Sequence, residues 1–333
     1  MRSIEDADVS GKRVVVRCDF DVPIKNGEIE DDTRIDNNIP TLKYLLEKGA
    51  KLFLISKLGR PKSKDPNLSL KHVIGAVSQK LSREVKFKED LDENIPGDVT
   101  LLENLRFWPE EEAGDLEFSK KLASFGQLYV NECFATSHRT DASFVGIPKY
   151  LPSYAGLNLI KEVEEFKKML EHPARPLVSI IGGAKIETKM PVIDNLAKVS
   201  DTVLVGGKLM FEVDISYLPE NVLVAHDDVD KKDIGPKSAK MFREYIAEAK
   251  TVIWNGPMGV FEEEKYLEGT KQLAQAVASS DCYSVIGGGD TIAALDRLKL
   301  IDKIDFVSSG GGAMLEFLAG KELPGIKALE ESP

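Results

Sequence analysis

Short apolar runs rich in β-branched residues alternate with longer amphipathic stretches along this whole sequence. The alternation is typical of βα units, in which parallel strands form a sheet that helices cover. The pattern therefore predicts an α/β fold. The predicted helices include 37–48 and 70–81; the predicted strands are 13–20, 51–55, 99–102 and 127–131 in the first half, and 177–181, 202–205, 221–225, 251–254, 282–286 and 305–308 in the second.

The length of the chain points to two domains. It has 333 residues, more than one hydrophobic core usually serves. Residues 159–170 place apolar side chains at helical spacing over a charged face, and Pro173 and Pro176 follow. Because proline ends helices, this stretch predicts a helix that joins two lobes. We expect two doubly wound, Rossmann-like parallel sheets, with a first domain at 1–158, a helical hinge at 159–172 and a second domain at 173–318.

The charge balance argues against two classes of partner. The chain carries 44 Lys and Arg against 55 Asp and Glu, a formal net charge of −11. An acidic surface disfavours binding to nucleic acid and to anionic membranes.

The three cysteines, Cys18, Cys133 and Cys282, are odd in number and far apart, so they predict no closed disulfide framework. With no signal-peptide pattern and no long apolar run, we expect a cytoplasmic protein with neither kind of partner.

Glycine turns follow five predicted strands of the second half. At the carboxyl ends of parallel strands, such turns let the backbone approach a phosphate at a helix N-terminus, so they predict a nucleotide site. No P-loop pattern, no Gly-x-Gly-x-x-Gly after the first strand and no zinc spacing is present, which disfavours the corresponding classes of protein. The turns are Gly182-Gly183-Ala184-Lys185, Gly206-Gly207, Asn255-Gly256-Pro257, Gly287-Gly288-Gly289-Asp290-Thr291 and Gly310-Gly311-Gly312.

Two charged residues in these turns have alternative interpretations. A cation such as Lys185 near the positive end of a helix dipole is unfavourable unless an anion compensates it. Lys185 is therefore either a phosphate ligand or a solvated surface lysine. Asp290 is either an N-cap or a magnesium ligand.

The predicted strands of the first half end in cations instead of glycines. Because the guanidinium fork fits phosphate and carboxylate oxygens, arginines that converge from several segments predict a site for a small, strongly anionic ligand. His138 alone is better explained as a structural histidine than as a base. The cations are Arg34, Lys57, Arg60, Arg106 and Arg139.

At these residues the sequence resembles the phosphoglycerate kinase family almost from end to end. The resemblance implies reversible phosphoryl transfer between 1,3-bisphosphoglycerate and ADP, giving 3-phosphoglycerate and ATP, with magnesium as cofactor and closure about the hinge. We expect a monomeric glycolytic enzyme. The family's motifs appear in order as Asp19-Phe20-Asp21-Val22-Pro23, Leu58-Gly59-Arg60-Pro61, Glu103-Asn104-Leu105-Arg106-Phe107, Gly182-Gly183-Ala184-Lys185, Trp254-Asn255-Gly256-Pro257, Gly287-Gly288-Gly289-Asp290-Thr291 and Gly310-Gly311-Gly312-Ala313.

The resemblance also implies a role for each site residue. It places Arg34, Lys185, Gly288 and Gly311 at the transferring group and Asp290 on the metal, with Glu262 on the ribose. The phosphoglycerate site would comprise Asp19, Asp21, Arg34, Lys57, Arg60, Arg106, His138 and Arg139. The nucleotide site would comprise Gly183, Ala184, Lys185, Lys189, Gly206, Gly207, Asn255, Glu262, Gly287, Gly288, Gly289, Asp290 and Thr291.

Five features depart from the family pattern. Asp21 replaces an asparagine and Lys57 a histidine, so that Lys57 pairs either with Asp21 or with substrate phosphate. Asp141 replaces a second histidine, and Lys208 replaces a glycine. The stretch 211–221 is much shorter than in the family, where it helps to wall the nucleotide base. These departures leave open a descendant that binds phosphoglycerate without productive ATP turnover, or one that uses a different nucleotide. The tail at 319–333 also resembles the family's, which implies that it returns to the first lobe.

Overall fold

The computed structural model describes residues 1–333. The chain divides into two compact units, the first made of Met1–Val163 and Glu322–Pro333 and the second of Glu164–Lys321. Each unit contains one six-stranded sheet in which every strand pair is parallel. The predicted α/β class, with two parallel sheets and their helices, is confirmed.

The sheet of the first unit has the strand order β5-β6-β4-β1-β7-β8. Strands β2 and β3 form a separate antiparallel hairpin. The elements are β1 (Arg13–Arg17), β2 (Ile24–Lys25), β3 (Glu28–Ile29), α1 (Thr33–Glu47), β4 (Lys51–Ile55), α2 (Ile74–Leu81), β5 (Lys86–Lys88), β6 (Val99–Leu102), α3 (Pro109–Ala113), α4 (Leu116–Ala123), β7 (Leu128–Asn131), β8 (Ser153–Ala155) and α5 (Leu157–Glu171).

The sheet of the second unit has the order β11-β10-β9-β14-β15-β16. Since β9 and β14 lie side by side while the chain winds outward from each, the gap between them is the topological switch point, where open α/β sheets bind ligands. The elements are β9 (Leu177–Ile181), α6 (Ile186–Val199), β10 (Thr202–Val205), β11 (Val222–Val224), β12 (Asp228–Val229), β13 (Asp233–Ile234), α7 (Pro236–Glu248), β14 (Thr251–Asn255), α8 (Glu268–Ser279), β15 (Tyr283–Gly287), α9 (Gly289–Arg297), β16 (Phe306–Val307), α10 (Gly312–Leu318) and, in the first unit, α11 (Pro324–Glu330).

The central strands are buried on both faces. All five residues of β9 are buried, as are four of the five in β1 and in β4. A strand covered by helices on both sides needs a continuous apolar run rather than alternation, which is why these segments were visible in the sequence. No helix in the chain combines the length and the apolar character that crossing a lipid bilayer requires.

Helix α5 begins at a buried carboxylate. Glu132, at the end of β7, accepts hydrogen bonds from the Thr41 hydroxyl at 2.7 Å and from the amide of Asn158 at 3.1 Å in the first turn of α5. Burial raises the pKa of Glu132 to about 8. The helix starts two residues before the predicted range, because its first turn is satisfied by this distant side chain.

The end of the chain belongs to the first unit. The Gly325 amide donates to the Ser137 carbonyl at 2.8 Å, and Arg2 donates to the Pro333 carbonyl at 3.1 Å. The two termini are thereby tied to each other and to the first unit.

Candidate functional site

In the first unit, the end of β1 is joined to the start of α1 by an ion pair. Arg34 Nη1 lies 2.8 Å from one carboxylate oxygen of Asp19 and 3.1 Å from the other. Asn38 binds both sides of this contact, because its side chain accepts from the Asp19 amide at 3.0 Å and donates to the Arg34 carbonyl at 2.7 Å. Burial would lower the pKa of Arg34, but the Asp19 and Asp21 carboxylates outweigh it and raise the pKa above its ordinary value. Asn38 was not identified from the sequence, since an asparagine inside a helix gives no sign of its partners.

Two of the departures from the family pattern pair with each other. Lys57 Nζ forms an ion pair with the Asp21 carboxylate. The other oxygen of Asp21 accepts from the Gly59 amide at 2.7 Å, in the turn that carries the exposed Arg60. Burial opposes ionisation of Asp21, but Lys57 and the Gly59 amide outweigh it and lower its pKa. Of the two partners predicted for Lys57, the structure shows the Asp21 carboxylate.

Arg106 and Arg139 share two acidic partners. Arg139 Nε lies 2.9 Å from both carboxylate oxygens of Asp141, and Arg106 Nη2 lies 3.5 Å from one of them. Glu112 contacts both guanidinium groups as well. Hydrogen bonds to Asp141 raise the pKa of Arg139. Glu112 was missed in the sequence because one of three consecutive glutamates at 110–112 could not be singled out.

The first unit therefore brings the predicted acceptor residues into two paired groups. One contains Asp19, Arg34, Asp21 and Lys57, and the other contains Arg106, Arg139, Asp141 and Glu112. Arg60 is exposed near the first group, and the half-buried His138 precedes Arg139 in the chain. Every one of these residues follows β1, β4, β6 or β7 or lies at the start of α1, so they share the carboxyl edge of the sheet.

In the second unit, two glycine loops pack against each other at the switch point. The Gly182 amide donates to the Asn255 carbonyl at 2.9 Å, and the Gly183 amide to the Pro257 carbonyl at 2.9 Å. Gly256 has φ +97°, and a Cβ placed there would overlap the carbonyl group of Gly182. Only glycine fits this approach of backbone to backbone.

A buried polar cluster lies behind these loops. Lys189 contacts the side-chain oxygen of Asn255, whose amide nitrogen donates to the Gly287 carbonyl at 2.9 Å. The Thr291 hydroxyl accepts from the Gly256 amide at 2.7 Å. Burial lowers the pKa of Lys189 to about 8, against an opposing effect of Asp290. The cluster links α6, β14, β15 and α9, and it faces a cation toward the loops without a carboxylate bound to it.

The remaining charged residues of the predicted nucleotide site are exposed. Lys185 occupies the N-cap position of α6 without a capping hydrogen bond from its side chain, and no carboxylate contacts it. Asp290 lies in the first turn of α9, where Gly288 rather than Asp290 is the N-cap, so the capping interpretation of Asp290 is wrong. Glu262 is exposed in the turn after β14.

The other glycines of the predicted site lie at three further strand ends. Gly206 and Gly207 are buried after β10, Gly287 to Gly289 join β15 to α9, and Gly311 precedes α10. Ala184 is exposed beside Lys185. These loops end strands of one parallel sheet, so they occupy a common edge.

The short segment after β10 exposes apolar side chains. It contains only two brief helical turns, Gly207–Phe211 and Ile215–Tyr217. Phe211, Ile215 and Tyr217 are 43%, 69% and 85% exposed, and Lys208 pairs with Glu212 on its own turn. Leu209 of the same segment is buried, so the exposed apolar surface begins at Phe211.

The chain has two doubly wound units, one with paired cations and one with glycine loops around a buried lysine. These features are typical of a two-domain α/β phosphotransferase. The sequence profile described as phosphoglycerate kinase matches residues 4–216 and 214–321. Two curated relatives named phosphoglycerate kinase are similar over nearly their whole length: that of Dictyoglomus turgidum is 43% identical, over 98% of each chain, and that of Finegoldia magna is 39% identical, over 99% of each chain. The chain belongs to the phosphoglycerate kinase family.

Solved structures agree with this membership. The phosphoglycerate kinase from Coxiella burnetii aligns with a TM-score of 0.86 and 35% identity, over 99% of this chain and 98% of that one. The phosphoglycerate kinase from Pyrococcus horikoshii OT3 aligns with a TM-score of 0.85 and 30% identity, with the same coverage.

This family member is shortened internally. Its alignment with the Dictyoglomus turgidum relative spans 387 positions although the chain has 333 residues, so the excess positions are gaps in this chain. The profile matches in two pieces that meet at residues 214–216. The break falls in the segment with the exposed Ile215 and Tyr217, where the sequence predicted a missing stretch.

Proposed function

We propose that this protein catalyses reversible phosphoryl transfer between 1,3-bisphosphoglycerate and ADP, giving 3-phosphoglycerate and ATP. It is then a glycolytic phosphotransferase with a carboxyl group as acceptor. The observation that carries the proposal is that the family likeness covers both units. The acceptor cations and both lysines of the nucleotide edge are present as well.

The first unit supplies the acceptor site in this proposal. Arg34 lies nearest the transferring group, held in place by Asp19 and Asn38. Arg60, Arg106, Arg139 and His138 bind the phosphoglycerate. Phosphoryl transfer depends on alignment and on neutralising charge on the moving group's oxygens, which is what fixed guanidinium groups provide.

The second unit supplies the nucleotide site. Lys185 and Lys189 contact the phosphates, Glu262 the ribose, and the amides of the Gly206-Gly207 and Gly287-Gly288 turns approach the phosphates closely. The exposed Lys185 at the N-terminus of α6 supports this assignment, because a bound phosphate would offset the unfavourable interaction between the lysine charge and the positive end of the helix dipole. Gly288 and Gly311 line the path of the transferring group.

Asp290 is the residue that would hold a magnesium ion. It is an exposed carboxylate in the first turn of α9, and the chain contains no group of three or more His, Cys, Asp or Glu that could hold a metal. A single carboxylate fits magnesium that arrives on nucleotide phosphates, since this ion keeps several waters and binds one or two carboxylates together with phosphate. When bound, the ion neutralises phosphate charge.

Transfer requires the two sites to come together, and we assign that motion to a hinge at α5. Closure would exclude the water that otherwise hydrolyses the acyl phosphate. We further propose a cytoplasmic monomer that binds neither nucleic acid nor membranes, in keeping with the net charge of −11.

The test is an assay of the purified, folded chain with ATP, magnesium and 3-phosphoglycerate, coupled to an enzyme that consumes the product. We expect ATP consumption that depends on both magnesium and 3-phosphoglycerate. A folded protein without such consumption would refute the proposal.

The exposed segment around Phe211 and Tyr217 favours a second candidate function. With its base site shortened, the chain would bind phosphoglycerate without productive ATP turnover, or would use a different nucleotide. Calorimetry separates the first case, since phosphoglycerate would bind and ADP would not. Comparing ADP, GDP and pyrophosphate as substrates separates the second.

A further inference from the structure

Four side chains of the first unit form a closed ring of alternating charge, here named the charge ring: Arg106, Glu112, Arg139 and Asp141. One oxygen of Glu112, Oε1, lies 2.9 Å from Arg106 Nη1 and 2.8 Å from Arg139 Nη2. Asp141 closes the ring from the other side, at 2.9 Å from Arg139 and 3.5 Å from Arg106. The two arginines are thus neutralised within the unit.

The two carboxylates of the charge ring differ in how firmly they are held. The Asp141 side chain is 3% exposed, whereas that of Glu112 is 50% exposed. Glu112 lies near the end of α3, a helix of five residues that stops at Gly114. When Glu112 moves into water, its carboxylate is solvated, and only the two guanidinium groups that it leaves lose a partner. Glu112 is therefore the member of the charge ring that an incoming anion can displace.

The position of Glu112 Oε1 is that of a ligand oxygen. An oxygen shared by two guanidinium groups at 2.8–2.9 Å is the geometry with which arginines bind phosphate. Arg106 also keeps donor capacity, since its Nε–H has no acceptor. We propose that Glu112 determines affinity and specificity at this site by occupying the place of a phosphate oxygen, so that phosphoglycerate binds by displacing it. The proposal rests on the proposed function for the identity of the ligand.

The displacement makes the site selective for multiply charged anions. A carboxylate or a halide that replaces Glu112 exchanges one negative charge for another, so it gains little binding free energy. A phosphate dianion brings a second charge and more acceptor oxygens to the same guanidinium groups, so its gain exceeds the loss of the Glu112 contacts. Asp141 remains in place as the residue that positions both arginines.

The experiment compares wild-type protein with Glu112→Gln and, as a matched control, Glu110→Gln. Glu110 lies on the same helix, is exposed and forms no ion pair. We expect Glu112→Gln to lower the KM for 3-phosphoglycerate by about two- to fivefold, the range that partly exposed ion pairs allow, with kcat nearly unchanged. We also expect acetate and chloride to inhibit this variant at several-fold lower concentrations. Glu110→Gln should match wild type in both measurements.

A residue that only orients the arginines would give the opposite result. An unchanged or raised KM in Glu112→Gln, or unchanged inhibition by acetate and chloride, would overturn the proposal. Titration with inorganic phosphate in a calorimeter makes the test independent of turnover. If the wild type proves inactive as a kinase, tighter phosphate binding by Glu112→Gln still supports the role of Glu112, and equal or absent phosphate binding refutes it.

Discussion

The two units present opposite kinds of anion site. In the first, each of the cations Arg34, Lys57, Arg106 and Arg139 has a carboxylate partner. In the second, the recognition elements are backbone loops, and the buried Lys189 contacts a neutral amide. The contrast shows two physical solutions: paired side chains respond to the number of charges on a ligand, whereas close backbone loops respond to its shape and position.

The largest effect is expected from substitution of Lys185, which carries an exposed charge without a carboxylate partner. Lys185→Ala should reduce kcat by about 10²- to 10³-fold, the cost of losing one preorganised charge at a transferring group. The free energy of unfolding of Lys185→Ala should equal that of wild type or exceed it by up to about 1 kcal/mol, because the substitution removes a cation from the positive end of the α6 dipole. Steady-state kinetics and thermal unfolding measure the two effects.

The matched control for Lys185 is Lys198→Ala at the opposite end of the same helix, where the lysine is also exposed. It should leave kcat unchanged. Near-normal turnover in Lys185→Ala would remove that lysine from the mechanism and leave Lys189 as the lysine of the nucleotide site.

The next largest effect tests the backbone loops. Gly256→Ala would place a methyl group against the Gly182 carbonyl at a φ of +97°, so we expect a loss of about 3 kcal/mol or more in the free energy of unfolding. Calorimetry of the whole chain measures it. Gly75→Ala in α2 has open space around it and should instead gain about 0.5–1 kcal/mol. Equal stability of the two variants would contradict the close packing of the loops.

A smaller effect tests the pairing in the first unit. A double-mutant cycle with Asp21→Asn and Lys57→Met should give a coupling free energy of about 1–2 kcal/mol, because both side chains are largely buried. The surface pair Lys12 and Asp8 serves as the control and should couple by less than about 0.5 kcal/mol. Urea unfolding measures both cycles. A weak coupling would mean that Asp21 and Lys57 contribute to the free energy of unfolding independently of each other.

The smallest effect concerns the protonation of Lys189. Since its pKa is about 8 in the folded chain, the free energy of unfolding should rise with pH, through this group, between about 8 and its ordinary value of 10.5. Bound phosphate favours the charged form, so ADP binding at pH 8.5 should take up a fraction of a proton. Calorimetry in buffers of different ionisation enthalpy detects this uptake, which should vanish in Lys189→Arg.

Much of the fold could be predicted because the central strands are continuous apolar runs. Strands β4, β6, β9 and β10 have the predicted bounds. The first strand was predicted to reach residue 20 but ends at Arg17, since residues 18–20 are buried without continuing the ladder. The edge strands β5 and β8 were missed because each has three residues and a mixed composition.

The candidate site was predictable in its residue types but not in its pairing. Glycine turns and cations at strand ends are visible along the chain. The partners Asn38, Glu112 and Glu132 are not, because each contact depends on where a distant segment folds. The pairing of Lys57 with Asp21 could be stated only as one of two alternatives until both side chains had positions.

The return of the final helix to the first sheet has a consequence for synthesis. Residues 322–333 supply contacts such as that between Gly325 and Ser137, so the first unit has all of its contacts only after nearly the whole chain has been synthesised. The second unit, encoded as one uninterrupted segment, is complete earlier. In this protein the amino-terminal unit is therefore the later of the two to be fully synthesised, and an isolated fragment ending at residue 163 would lack part of its own structure.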